Sequence, residues 1–294
     1  MLELLLAPLV ACLILTGIHA YLGLHVIERK VLFVDLSLAQ IAALGTAAGF
    51  VAGYDLDSDV SYFFSLAFTL LGAAIFSLTR MRHERVPQEA IIGITYAVAA
   101  SASILVLVRS AEGAERVKSM LVGSILFVDW HDIVKIGILY GLVGIFHYVF
   151  RDRFLTISLD PENAFDAGIP VRLWDFWFYA SFGFVVTSSV RIAGVLLVFS
   201  FLVVPAVAGV LLARSVSGRL AAGWATGVVV SCLGLYMSVV LDLPTGAAVV
   251  VTFGVVLVII ALAKLILTQL GVFPVDADLH RARVVTTDAP RGSG

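Results

Sequence analysis

The sequence predicts an all-α fold, a polytopic membrane helical bundle of eight or nine transmembrane helices. Three observations carry that expectation. The side chains are 61% hydrophobic and only 14% charged, against about 25% charged in an ordinary globular chain. Mean hydropathy is +1.05. Several uncharged runs reach roughly 18 residues or more, long enough to cross the hydrocarbon as helix. The alternating segments of about ten residues that mark a membrane barrel do not occur.

Taken in order, the first expected span covers residues 4–26 and ends in HVIERK. Glu3 precedes it where a signal peptide would carry positive charge, so it reads as a retained span. The second, residues 31–53, is relieved by Asp35, Ser37, Gln40 and Thr46, and the acidic turn YDLDSD follows. The third, residues 61–78, meets the basic cluster RMRHER at residues 80–85. Pro87 suits a first helical position and opens the fourth, residues 88–108. After a charged connector at residues 109–118 and a semi-apolar stretch, the fifth span covers residues 133–150. A short sixth segment, residues 173–187, precedes the seventh at 192–213, the eighth at 220–240 and the ninth at 245–270. If the short sixth does not cross fully, eight spans remain.

Between the fifth and sixth segments lies RDRFLTISLDPENAFDAGIPVR, residues 151–172, the longest charged interruption in the chain. Asp160 can cap a short helix, Pro161 can start it, and Gly168 with Pro170 can stop it. A structured polar insert between two spans reads as a docking surface on one aqueous side. Counting positive charge places that side: nine spans with the N-terminus outside put Arg29 and Lys30, the cluster at 80–85, the insert, Arg214 to Arg219 and the tail in the cytoplasm. The connector at 109–118 is the exception, with Arg109, Arg116 and Lys118 outside.

Asp35, Ser37 and Gln40 are candidates for a polar station on a translocation path, since a carboxylate at membrane depth costs about 2.5–3.5 kcal/mol unless it is paired or wet. The competing reading pairs Asp35 with nearby Arg29 and Lys30. His19 and His25 are each able to ligate a metal or to bond a neighbouring helix, but their spacing of six puts them on different faces. Glu89 suits the first turn of its helix, with pathway duty as the rival role. Asp129, His131 and Asp132 look like a ligand cluster and equally like the polar start of a helix capped by Asp129; His147 reads as a packing or hydrogen-bonding residue, and Arg191 as a snorkelling charge at the mouth of the seventh span. Pro205 should kink that span. Cys12 and Cys232 sit in apolar runs as small hydrophobes. No phosphate loop, HExxH or GxSxG motif is present, and the net charge of −2 offers no groove for nucleic acid.

Five stretches together resemble the permease subunits of the zinc/manganese/iron-type ATP-binding-cassette importers. They are GLHVIERKVLFVDLSLAQIAALG (23–45), PQEAIIGITYAVAASASILV (87–106), KSMLVGSILFV (118–128), RIAGVLLVFSFLVVPAVAGVLLA (191–213) and LDLPTGAAVV (241–250). The resemblance implies a multi-pass inner-membrane permease domain at residues 1–272 and a polar cytoplasmic tail at 273–294 whose composition predicts disorder. It also implies a homodimer served by two cytoplasmic ATPase subunits and by an extracytoplasmic metal-binding protein. The chain itself then holds no cofactor and is not an enzyme; ATP sits on the partner and a divalent metal is the cargo. The insert resembles the family's coupling segment, here about residues 155–171, with Leu159, Asp160, Glu162, Phe165, Asp166 and Gly168 at the interface. Asp35, Ser37, Gln40, Glu89 and His19 become path candidates, with Asp35 and Gln40 as metal contacts. One departure stands out. Members commonly show Gly-Asp with a His four residues after the Asp; aligned on Leu44-Gly45, the His position falls on Gln40 and the Asp position on Leu36, one residue after Asp35. Zinc, manganese, iron and a metal chelate all remain open as cargo. The rivals are a secondary transporter, which would show inverted repeats and midplane carboxylates, and a membrane assembly protein without transport.

Overall fold

The computed structural model describes residues 2–55, 58–82, 86–107 and 125–270. In chain order its helices are α1 (Leu2–Glu28), α2 (Val34–Val51), α3 (Asp59–Leu78), α4 (Gln88–Leu107), α5 (Trp130–Val149), α6 (Arg151–Leu159), α7 (Pro161–Asp166), α8 (Val171–Ala193), α9 (Val195–Leu212), α10 (Val216–Val240) and α11 (Thr245–Gln269). Among the described residues nine of these, all but α6 and α7, are long and apolar enough to cross a membrane. The connector at 109–118, residues 83–85 of the basic cluster, most of KSMLVGSILFV and the tail at 273–294 lie outside the described residues.

Two helices organise the bundle. α1 packs on α9, α10 and α5, while α2 packs on α3, α4 and α8. α8 joins the halves, touching α2 and α3 on one side and α5 and α9 on the other. Phe178, Tyr179, Phe182 and Phe201 are fully buried along this seam. By contrast α4 and α11 turn long aliphatic faces outward, Ile94, Leu105, Val251 and Val258 among them.

Lipid is as apolar as leucine, so helices in a bilayer associate through close packing and hydrogen bonds rather than hydrophobic drive. Small residues supply the approach. A Cβ on Gly45 of α2 would stand 2.6 Å from the carbonyl oxygen of Phe64 on α3, and one on Gly23 of α1 would run into that of Leu202 on α9. Hydroxyls supply the bonds. Ser65 donates to the Ala42 carbonyl at 3.0 Å, and Thr69 meets Thr187 at 3.2 Å.

Helix ends follow local chemistry. Asp129 accepts from the Asp132 amide at 2.8 Å and caps α5. Ser215 accepts from the Gly218 amide at 3.1 Å and starts α10 four residues before the span expected at 220. Two expectations are corrected. The sixth span is not a short segment at 173–187: α8 runs 23 residues, Val171–Ala193. Ser188 and Ser189 return their hydroxyls to carbonyls of the preceding turn, which lets the helix continue through TSSVR. Gly194, at φ 77°, ends it, so Arg191 belongs to the last turn of α8, with its guanidinium 5.1 Å from the Tyr62 ring centroid. The insert also forms two helices rather than one, α6 and α7.

Gly23→Leu tests the backbone contact between α1 and α9. A main-chain carbonyl cannot rotate away as a side chain can, so the variant should lose more than the roughly 1–3 kcal/mol of ordinary overpacking. Thermal unfolding in detergent reads this directly, with Gly141→Leu, where a Cβ meets nothing within 4 Å, as the control expected to stay near wild type.

Candidate functional site

The polar chemistry of the described bundle concentrates at one end, where α6 and α7 form a hairpin between α5 and α8. Asp175, one turn into α8, is fully buried there. Its Oδ1 accepts from Nη1 of Arg29, which follows α1, and its Oδ2 lies 3.7 Å from Nε of Arg80, which follows α3. Both arginines are themselves buried. A buried carboxylate is tolerable only when paired and bonded, and these guanidiniums supply the pairing.

From that carboxylate the contacts spread through both arginines. Arg29 Nε donates to Ser158 Oγ on α6 at 2.8 Å, and His25 Nδ1 lies 2.8 Å from the same oxygen. The Arg29 guanidinium also lies over the Phe178 ring, 4.0 Å from its centroid. Arg80 Nη1 donates to Gln88 Oε1 on α4 at 2.6 Å, and Gln88 Nε2 donates to the Phe76 carbonyl and the Tyr179 hydroxyl at 2.9 and 3.1 Å. Arg172 Nε donates to the Arg80 carbonyl at 3.3 Å. One cluster therefore joins α1, α3, α4, α6 and α8.

The hairpin grows from this cluster. Asp160 caps α7 by accepting from the Asn163 amide at 3.1 Å, Pro161 opens it, and Gly168 at φ 69° lets the chain turn back. Ala164 is buried against Ile157 and Val171, with Phe165 half-buried beside them. Leu159, Asp160, Glu162, Asp166 and Gly168 are left exposed. Arg82 Nη2 holds Asp166 Oδ1 at 2.5 Å on the outer surface. The result is a fixed base carrying an acidic exposed tip.

The second-span candidates lie at the same end. Asp35 is the second residue of α2 and is 2% exposed; it does not pair with Arg29, which Asp175 takes. Asp35 Oδ1, Ser37 Oγ and Glu89 Oε2 are buried atoms with no hydrogen-bond partner. Glu89 Oε1 accepts from the Phe33 amide at 3.0 Å, so this carboxylate caps α2 as well as sitting in the first turn of α4. Gln40 is half-buried one and a half turns further along α2. His19 is elsewhere: its Nδ1 lies 2.9 Å from the Leu15 carbonyl and its Nε2 3.3 Å from Ser189 Oγ, against α8. His147 meets Ser181 at 2.8 Å and Tyr21 at 3.3 Å, in keeping with a bonding residue of the interior. Among the described residues no three His, Cys, Asp or Glu side chains converge on a point that could hold a metal. Asp175 was not singled out from sequence, and Arg29 was read as a partner of Asp35 instead. The signal available was a lone carboxylate inside an apolar segment, which must find a cation.

A bundle with nine candidate spans among its described residues and a polar hairpin anchored at one end has the form of a transporter's membrane subunit. The family model of the ABC 3 transport family matches residues 1–264, and the chain belongs to that family. It is 27% identical over 202 residues to the manganese transport system membrane protein MntC of Listeria innocua, covering 65% of this chain and 70% of that one. It is 22% identical over 242 residues to a Haemophilus influenzae membrane protein named for iron transport, covering 82% and 87%. Among solved structures PsaBC from Streptococcus pneumoniae in complex with Fab superposes with a TM-score of 0.72 at 21% identity, covering 88% of this chain and 91% of that one.

Asp175→Asn leaves two buried arginines with a neutral partner. Removing one member of a buried pair costs about 3–5 kcal/mol, whereas Asp166→Asn at the exposed Arg82 bridge should cost about 0.2–1 kcal/mol. Chemical unfolding of both variants checks the order, and equal losses would contradict the central role of Asp175.

Proposed function

We propose that the chain is the membrane-spanning permease subunit of an ATP-driven importer of a divalent transition metal ion. The family match over residues 1–264 carries this reading, and the manganese and iron names of its relatives support the cargo class. The subunit works as a homodimer in the inner membrane, with its N-terminus outside and its C-terminus in the cytoplasm. Two cytoplasmic ATPase subunits hydrolyse ATP, and an extracytoplasmic binding protein delivers the metal.

In this scheme residues 155–171 are the coupling segment. Leu159, Asp160, Glu162, Phe165, Asp166 and Gly168 meet the ATPase, and the anchored base of α7 is what makes the segment useful. When the ATPase dimer closes, α7 moves with it. Its flanking helices α6 and α8 are tied through Ser158 and Asp175 to Arg29 and thus to α1. Displacement at the tip then reaches both halves of the bundle as a rigid-body shift.

Asp35, Ser37, Gln40 and Glu89 line the exit of the path, with His19 as the interior member of the candidate set. The support for the first group is physical: buried oxygens without partners on Asp35, Ser37 and Glu89 are donors that a passing cation could use. Asp35 and Gln40 are the proposed metal contacts. Carboxylate and amide oxygens are hard ligands, which suit manganese better than zinc or copper. That donor set agrees with the manganese name of the Listeria relative.

Two experiments test the reading. In cells expressing the whole complex, uptake of manganese should outcompete zinc and iron and fall at least about tenfold in Asp35→Ala or Gln40→Ala, since even outer-shell partners of a metal are worth that much. Wild-type rates in both variants would remove α2 from the path, and no metal uptake at all would remove the cargo. Separately, the double variant Asp166→Ala/Gly168→Ala should insert normally but retain less ATPase on co-purification; undiminished ATPase would contradict docking at α7.

A further inference from the structure

A groove of about 910 Å³ opens on the side of the bundle between α1, α5, α6 and α10. It contains none of the second-span residues and meets the Asp175 cluster only at His25 and Ser158, which line its wall. Its walls are mainly apolar, with Ile14, Ile18, Leu24, Leu155 and Leu220 among them. α5 turns Gly137, Gly141 and Gly144 toward it. Small residues on a membrane helix usually mark contact with another backbone, yet a Cβ on Gly141 or Gly144 would meet nothing within 4 Å. Space has been kept here without a helix to fill it.

The groove has a direction. Along α1 its lining runs from Ile14 to Glu28, which at about 1.5 Å of rise per residue is about 21 Å of helix. Among the described residues, none that lines it precedes Ile14 on α1, precedes Gly137 on α5 or follows Trp224 on α10, whose indole donates to the Gly17 carbonyl at 3.0 Å. Half of a bilayer with its headgroups is also about 20–22 Å. The cavity is therefore one leaflet deep, whereas a spanning helix would need the whole thickness of about 30 Å.

Its open end is basic and polar. Arg151 is half exposed, with its guanidinium 4.7 Å from the Tyr148 ring centroid and its Nε 3.7 Å from the exposed Asp152 carboxylate, and Arg219 is part-buried, held at 2.5 Å by Glu28, the one carboxylate lining the groove among the described residues, and by the Ala213 carbonyl at 3.3 Å. Ser217, in the first turn of α10, lines the same mouth, and the positive end of a helix dipole favours an anion. A second copy of the chain is a poor occupant, because α4 and α11, the two spans with the least buried windows (22% and 11%), contribute no lining residue.

We propose that this groove binds one anionic phospholipid of the leaflet on the α6–α7 side, its phosphate between Arg151 and Arg219 and its acyl chains along the glycine face of α5. The lipid lies against α6, whose Ser158 is bonded to Arg29, so its occupancy bears on the base of the hairpin. The proposal rests on the membrane bundle alone and not on metal import.

The test is native mass spectrometry of the full-length chain released from nanodiscs of equal phosphatidylglycerol and phosphatidylcholine. Wild type should retain one phosphatidylglycerol per chain in preference to phosphatidylcholine. Arg151→Gln and Arg219→Gln should each hold it about tenfold more weakly, the loss expected for a charge-assisted hydrogen bond. Gly141→Leu, which fills open space and should unfold at the wild-type temperature, should hold none. Equal retention of the two lipids, a lipid kept undiminished by Gly141→Leu, or a peptide in the lipid's place would each overturn the proposal. Metal uptake plays no part in the readout, so failure of the importer reading is seen separately.

Discussion

A carboxylate with no access to solvent sits between two guanidiniums at the base of the α6–α7 hairpin, and the geometry of that end of the molecule depends on it. Asp175 accepts from Arg29, Arg29 also holds Ser158, and Arg80 carries the contact on to Gln88 at the start of α4. Buried ion clusters add little net stability compared with apolar packing. Their value is geometric, because each guanidinium must face its acceptor in a fixed plane. Here the fixed planes belong to the ends of α1, α3, α6 and α8.

The rest of the bundle is held differently. Glycines bring α1 to α9 and α2 to α3 at backbone distance, and hydroxyls bond across these seams. Such contacts are many, small and distributed, and they suit helices that shift as bodies. The proposed coupling would use both kinds of contact: a stiff joint where force enters, and a bundle of small contacts through which it passes. The groove proposed for lipid adjoins the joint through Ser158 of α6.

What the sequence revealed were features written in adjacent residues. The spans follow from uncharged runs, the caps at Asp129 and Asp160 from single side chains next to their helices, and the hairpin turn from Gly168. Features that depend on distant partners stayed hidden. Arg29 and Asp175 are 146 residues apart, and no local pattern links them. α8 looked short because TSSVR is polar, yet serine hydroxyls that bond back to their own helix cost little in a membrane. The candidates on α2 were read as deep within a span, whereas Asp35 proves to be at its end and shares that end with Glu89.

The most direct measure of the Asp175 joint is amide hydrogen exchange across residues 151–172 in the full-length protein, wild type against Asp175→Asn. With the joint as described, the substitution raises exchange in α6, α7 and the first turns of α8 together, and also at the end of α1, while α11 keeps its protection. Unchanged protection through the hairpin, or a loss spread evenly over the whole bundle, would contradict it.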